Sequence, residues 1–172
     1  MTSALRIVPA TERDVALIFS FIRKLAEYEK LSHEVVATED RLRDGLFGAR
    51  PVAEVLLAYW ADEPAGFALY FPNFSTFLGQ PGIYLEDLFV EPAFRGRGIG
   101  KALLTRLAKI TQERNCGRLE WAVLDWNRPA IDFYKSLGAV AKDEWTVFRL
   151  AGDSLNRLAE GSASHSSEGG SR

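Results

Sequence analysis

Residues 94–104 read FRGRGIGKALL, with glycines at 96, 98 and 100 and with Arg95, Arg97 and Lys101 among them. No other stretch restricts the fold as much. The preceding run, IYLEDLFV at 83–90, has the apolar and aromatic character of a strand. The following Leu103, Leu104, Leu107 and Ile110 recur at helical spacing. A strand, a glycine turn and a helix in that order bring unsatisfied helix-start N–H groups and the positive dipole end beside bare backbone. Glycine lets a ligand approach that backbone without a side chain in the way. The arrangement predicts a phosphate-binding turn. The dinucleotide fingerprint needs glycine at 101, where Lys101 stands. The P-loop needs glycine at 95 and Ser or Thr at 102, which hold Arg95 and Ala102. The pattern that fits is Arg-x-x-Gly-x-Gly, at Arg95, Gly98 and Gly100. A tight strand-to-helix turn with nothing bound is the alternative.

The rest of the chain alternates strand and helix patterns. Residues 4–10 read as a strand closed by Pro9. Thr11 then caps a helix, with Asp14 as capping-box partner, and Val15, Ile18, Phe19, Ile22, Leu25 and Ala26 form its apolar face. Thr38 caps a shorter helix carrying Leu42 and Leu46. AEVLLAYW (53–60) and AGFALYF (65–71) make a hairpin around ADEP. PNFSTFLGQPG (72–82) reads as a loop, RLEWAVLDW (118–126) as a strand, RPAIDFYKSLG (128–138) as a helix and EWTVFRL (144–150) as a last strand. The sequence predicts one domain over residues 1–160 and a disordered tail over 161–172 that is almost without apolar residues.

Composition excludes several classes. At 172 residues and a net charge of -2, the chain has the size of one domain and no broad basic surface for nucleic acid. A single cysteine, Cys116, permits no internal disulfide, and the start lacks a long apolar signal segment. No run reaches membrane-spanning length. His33 and His165 stand far apart without a Cys or His cluster, so no metal site is expected. These features predict a soluble cytoplasmic protein.

A second stretch, AVLDWNRPAIDFYKSLGA at 122–139, decides the reading. Together with YLEDLFVEPAFRGRGIGKALL at 84–104 it resembles the GNAT superfamily of N-acetyltransferases. The likeness is closest to the spermidine/spermine acetyltransferase family and its thialysine-acetylating branch. IVPAT and LAEYEK extend it to roughly residues 5–150. The resemblance implies an α/β (α+β) GNAT fold: a mixed, mostly antiparallel central sheet flanked by helices, with two strands splayed around acetyl-CoA. It implies that Phe89 and Val90 meet the pantetheine arm. Arg95, Gly96, Arg97, Gly98, Ile99, Gly100 and Lys101 hold the pyrophosphate, and Asn127, Pro129 and Ala130 line the far wall. It assigns Tyr28 and Glu29 to the acceptor and Glu86 to the base, next to the substrate. Tyr134 becomes the general acid, and the assembly a homodimer. The polyamine enzymes carry an acidic residue where Ser75 falls here.

The residue types suit that chemistry. An alkyl ammonium titrates near 10.4, so roughly one amine in a thousand or fewer is neutral at pH 7, and a nearby base helps. Strand alternation puts Glu86 on one face with Tyr84 and Leu88, and Asp87 on the other. A phenol near 10 is a weaker acid than a thiol near 8.5. Full proton transfer from Tyr134 to the departing thiolate is therefore uphill by roughly 2 kcal/mol, and Tyr134 also suits a hydrogen-bond donor's role. Each residue has a plainer alternative. Glu86 could decorate a sheet surface, Tyr134 could pack in a core beside Ile131 and Phe133, and Tyr28 with Glu29 could close a solvated helix. The function expected is acetyl-CoA-dependent acetylation of a small-molecule primary amine in a ternary complex. A peptide or protein amine, or a non-catalytic acyl-CoA sensor on the same fold, are the alternatives.

Overall fold

The computed structural model describes residues 4–161. The chain divides into two compact units, Met1–Asn127 and Arg128–Arg172. In the first unit, five strands form one sheet in the order β1-β2-β3-β4-β5. The strands are β1 (Leu5–Pro9), β2 (Glu54–Trp60), β3 (Glu63–Ser75), β4 (Gln80–Val90) and β5 (Leu119–Trp121). β1 to β4 pair antiparallel, whereas β4 and β5 pair parallel. The mixed, mostly antiparallel sheet agrees with the sequence expectation. Its helices are α1 (Val15–Tyr28), α2 (Glu39–Phe47) and α3 (Ile99–Glu113).

The helix starts follow their caps. The Asp14 carboxylate accepts from both the backbone N–H and the hydroxyl of Thr11, at 2.7 and 2.9 Å. A single 3₁₀ turn at Glu12–Asp14 then leads into α1. Thr38 accepts from the Arg41 N–H at the start of α2. The buried face of α1 is Val15, Ile18, Phe21 and Leu25. Phe21, absent from the expected face, stacks on Phe67 with ring centroids 5.5 Å apart. Val55, Leu57, Phe67, Leu69 and Phe89 supply the sheet side of this core, and Leu46 joins it from α2. Leu56, Ala68 and Leu85 alternate to the opposite face, which α3 covers with buried Leu103, Leu104, Leu107 and Ile110.

Three expectations need correction. The segment 72–82 is mostly strand: β3 runs to Ser75 and β4 begins at Gln80. Pro72 is tolerated because β3 has no β2 partner beyond Tyr70, so a missing N–H costs no ladder bond on that side. The strand expected over 118–126 shrinks to Leu119–Trp121, and Leu124 to Asn127 close a turn. Residues 144–150 form no strand, and among the described residues none pairs with them. Their side chains stand out, with Val147 88% and Phe148 92% exposed. A strand pattern needs a neighbouring backbone to become a strand. The second unit carries α4 (Arg128–Ser136) and α5 (Gly152–Ala159). The predicted tail, apart from Gly161, lies outside the described residues.

Candidate active site

The glycine turn is built as the sequence predicted. β4 ends at Val90, a 3₁₀ turn covers Pro92–Phe94, and α3 starts at Ile99 with Gly98 as its N-cap. Gly96 and Gly98 have φ of 76° and 77°, the left-handed region that favours glycine. A Cβ built on either would meet no protein atom within 4 Å. The space in front of this backbone is therefore open, beside the N–H groups at the start of α3 that no side chain caps. That fits a pyrophosphate. The two arginines of the turn rest on aromatic rings. Arg95 lies 5.0 Å from the Tyr28 ring centroid and 5.8 Å from that of Phe89, and Arg97 lies 5.0 Å from that of Trp60. Arg95 also donates from Nε to the Val90 carbonyl at 3.0 Å.

β4 and β5 stay paired only from Ile83–Leu119 to Leu85–Trp121. Past Leu85 no strand among the described residues pairs on the β5 side of β4, and the Val90 carbonyl accepts from Arg95 Nε. The division coincides with a β-bulge. Leu69 pairs with Asp87 but the next residue, Tyr70, pairs with Leu85, so Glu86 is the extra residue. The bulge overturns the expected alternation. Asp87 opposes Leu69 and stands two residues from Phe89, both members of the α1-facing core. Leu88 opposes Ala68 and turns to the α3 side, so Glu86 does not share its face. Asp87 therefore looks toward α1.

The end of α1 meets it there. Tyr28 is the last residue of α1 and Glu29 its C-cap. Burial raises the Glu29 carboxyl above the usual carboxylate range. Asp87 is pushed up to about 7, first by burial and then by the negative charges of Glu86 and Glu29. Tyr84 is raised by burial and by the charges of Glu86 and Glu120. The charges of Glu86 and Glu29 thus bear on Asp87 where β4 leaves β5. Glu86 is the exposed member, and Glu29 and Asp87 are partly buried. Aromatic rings border the group. Tyr28 packs against Trp126 at 6.1 Å between centroids and donates to Asn127 Oδ1 at 3.4 Å. Lys24 pairs with Glu91, tying α1 to the end of β4.

Among the expected site residues, the first unit brings Tyr28, Glu29, Glu86, Phe89, Val90, the 95–101 turn and Asn127 onto one side of the sheet end. Pro129, Ala130 and Tyr134 belong to the second unit, all on α4. Sequence reasoning missed Trp126 and turned Asp87 the wrong way. Trp126 was legible as the neighbour of Asn127. The bulge had no glycine or proline to announce it; the only trace is an adjacent acidic pair in an otherwise apolar strand.

This arrangement combines an anion cradle, a split between parallel strands and an acidic floor. The family model described as Acetyltransferase (GNAT) family matches residues 20–139.

The chain belongs to the GNAT acetyltransferase family.

It is an N-acetyltransferase, and enzymes of this family use acetyl-CoA as co-substrate. It is 42% identical over 163 residues to a thialysine N-epsilon-acetyltransferase of Bos taurus, covering 87% of this chain and 94% of the relative. It is 35% identical over 198 residues to an L-ornithine N5-acetyltransferase of Arabidopsis thaliana, covering 89% and 87% of the two chains. A solved integron cassette protein from the mobile metagenome of V. cholerae superposes with a TM-score of 0.76 at 32% identity, covering 91% of this GNAT chain and 98% of the other. Among the described residues, no helix is long and apolar enough to cross a membrane. No group of three or more His, Cys, Asp or Glu among them could hold a metal.

Proposed function

We propose that this enzyme transfers the acetyl group of acetyl-CoA directly to the primary amine of a small cationic molecule, of the amino-acid or short-diamine class. The observation that carries this reading is the convergence of Glu29, Glu86 and Asp87 at the split between β4 and β5. An ammonium is the natural partner of such a group. The names of the bovine and Arabidopsis relatives, thialysine and ornithine acetyltransferases, support it. Ser75 argues against a long polyamine. It is 5% exposed, and its hydroxyl accepts from the Leu78 N–H at 3.2 Å, so it closes the β3–β4 turn and brings no charge to a distal ammonium.

In this reading the amides of Arg95, Gly96, Arg97, Gly98, Ile99, Gly100 and Lys101 hold the pyrophosphate. The unpaired β4 edge at Phe89 and Val90 takes the pantetheine arm. Asn127, Pro129 and Ala130 form the facing wall. Tyr28 and Glu29 orient the acceptor, Glu86 acts as base, and Tyr134 donates to the departing thiolate. Acetyl-CoA supplies the activated acetyl group. Residues 1–160 act as one acetyltransferase domain, a reading supported by a family match that runs across the unit boundary at Asn127. The enzyme works as a soluble cytoplasmic homodimer without nucleic acid, membrane or metal. The unpaired apolar run at Trp145, Val147 and Phe148 supports a second copy as the cover for that surface. Sedimentation at micromolar concentration should give a dimer, and a fully active monomer overturns that part.

The deciding experiment is CoA release across thialysine, lysine, ornithine, short diamines, polyamines and lysine peptides. Highest kcat/KM on a small amino acid or short diamine is expected. Preference for peptides would point to a protein acceptor. Tight acetyl-CoA binding without turnover on any amine would favour a sensor.

A further inference from the structure

We propose that Asp87, the carboxyl that the β4 bulge turns toward α1, is the group on which the acceptor's ammonium proton comes to rest. The proposal rests on the amine-acetylating reading above. Its geometric basis is independent of the role assigned to Glu86.

The bulge is the first part of the argument. A regular strand would send Glu86 and Asp87 to opposite faces. With Glu86 as the extra residue, Asp87 is in register with Leu69 and takes the α1 side, among Phe67, Leu69 and Phe89. Bulges beside active sites re-aim side chains in this way. The second part is position. Asp87 lies where β4 has just lost its β5 neighbour, so it sits beside the unpaired edge and not behind a paired strand. The charged groups that bear on it are Glu86 from its own strand and Glu29 from the end of α1, both negative. No cation of the described residues is among the groups that bear on it; Lys24 pairs with Glu91, and Arg95 rests on Tyr28 and Phe89.

The chemistry follows from that environment. An ordinary carboxylate near 4.3 is about 6 pK units too weak to take a proton from an ammonium near 10.4. Asp87, held near 7 by burial and by two negative neighbours, narrows the gap to roughly 3. Transfer from ammonium to carboxylate also removes two opposite charges from a partly desolvated place, which favours the neutral pair. Glu86, the exposed base, meets the cation and takes its proton first, and the deeper Asp87 suits holding it. The balance closes. The ammonium gives one proton, by way of Glu86, to Asp87 and becomes a neutral amine. Its nitrogen bonds to the acetyl carbonyl carbon, the C–S bond breaks, and the nitrogen's second proton matches the one gained by the thiolate. Asp87 then releases its proton to water, the one net proton of the reaction.

The test has two arms on the full-length enzyme. The first is kcat/KM against pH from about 5.5 to 9.5, with the best amine of the panel, for wild type, Asp87→Asn and Glu86→Gln. Wild type should show a break near pH 7 in addition to the amine's own ionisation. Asp87→Asn should lose that break and fall by about 10²-fold or more near neutrality, recovering as the amine deprotonates by itself. Glu86→Gln should keep the break, moved to lower pH because one of the charges that raises Asp87 is gone. The second arm is infrared difference spectroscopy. Wild type should contain a protonated carboxyl at pH 6 that ionises with a midpoint near 7, and Asp87→Asn should lack it. An Asp87→Asn enzyme that retains the break, or a wild type without that carboxyl titration, overturns the assignment while leaving the acetyltransferase reading intact. Failure of the wild type to acetylate any amine overturns the acceptor reading, and this proposal with it. If Asp87→Asn does not fold, Asp87→Glu takes its place in both arms: a moved break and a moved carboxyl midpoint support the assignment, and both unmoved overturn it.

Discussion

Replacing Asp87 with Asn should make the protein more stable, and increasingly so as pH rises from 4 to 8. An unfolded aspartate titrates near 3.9, whereas the folded carboxyl of Asp87 is pushed up to about 7. Between those values the folded state holds a proton that the unfolded state has lost. Stability therefore falls as pH climbs through that window, and the full cost is present above it. A gap of about 3 pK units at 1.36 kcal/mol each sets a ceiling of roughly 4 kcal/mol. Relaxation around the charge will return part of it. Asn has nearly the same shape and never ionises, so the cost vanishes in the variant. Urea titrations of both proteins at half-unit pH steps measure this directly. Groups that do not interact with Asp87 contribute equally to both and cancel in the difference. The two midpoints should nearly coincide at pH 4 and diverge steadily to about pH 7.5, with a melting-temperature gap on the order of 10 °C at the end. A difference that stays flat between pH 4 and 8 would refute the reasoning, because Asp87 would then ionise as easily folded as unfolded.

Gly98→Val should weaken acetyl-CoA binding at least tenfold by calorimetry, since a β-branched residue is strained at φ 77° and its side chain enters the open cradle. Gly100→Ala should fold normally, because its Cβ would make only an ordinary contact with Val90. Glu54→Gln removes a bidentate pair with Arg114, at 2.6 and 2.8 Å, and should cost about 0.2–1 kcal/mol because both side chains are half-exposed. The Arg114 hydrogen bond lowers the Glu54 carboxyl, so this contribution is present above pH 4.5 and fades as pH falls through the lowered value; urea midpoints of the variant and wild type should converge in acid. Tyr134→Phe should lower single-turnover acetyl transfer about 10²-fold with acetyl-CoA affinity unchanged and no rescue at high pH, whereas near-normal transfer would leave the tyrosine as a packing residue.

Much of this enzyme could be read along the chain because the signals are local. The 95–101 turn needs only glycines at the positions with positive φ and a helix after them, and both are written consecutively. Thr11, Asp14 and Thr38 announce their helices within four residues, and the apolar spacing of α3 matches its buried face. Long-range pairing decided the rest. Whether residues 72–75 and 80–82 are loop or strand depends on each other's backbone, which no local pattern reports. The segment 144–150 shows the reverse: its composition suits a strand, yet no backbone pairs with it among the described residues. The direction of Asp87 is the sharpest case. Alternation along β4 puts it on one side, and a one-residue shift in pairing between Leu69 and Tyr70 puts it on the other. A side-chain period of two has no memory of the partner strand's register, so a single unmatched residue reverses every face beyond it. The sequence by itself determined that a glycine turn and a helix follow a strand. Only the pairing of β3 with β4 decided that Asp87 faces α1 beside the split.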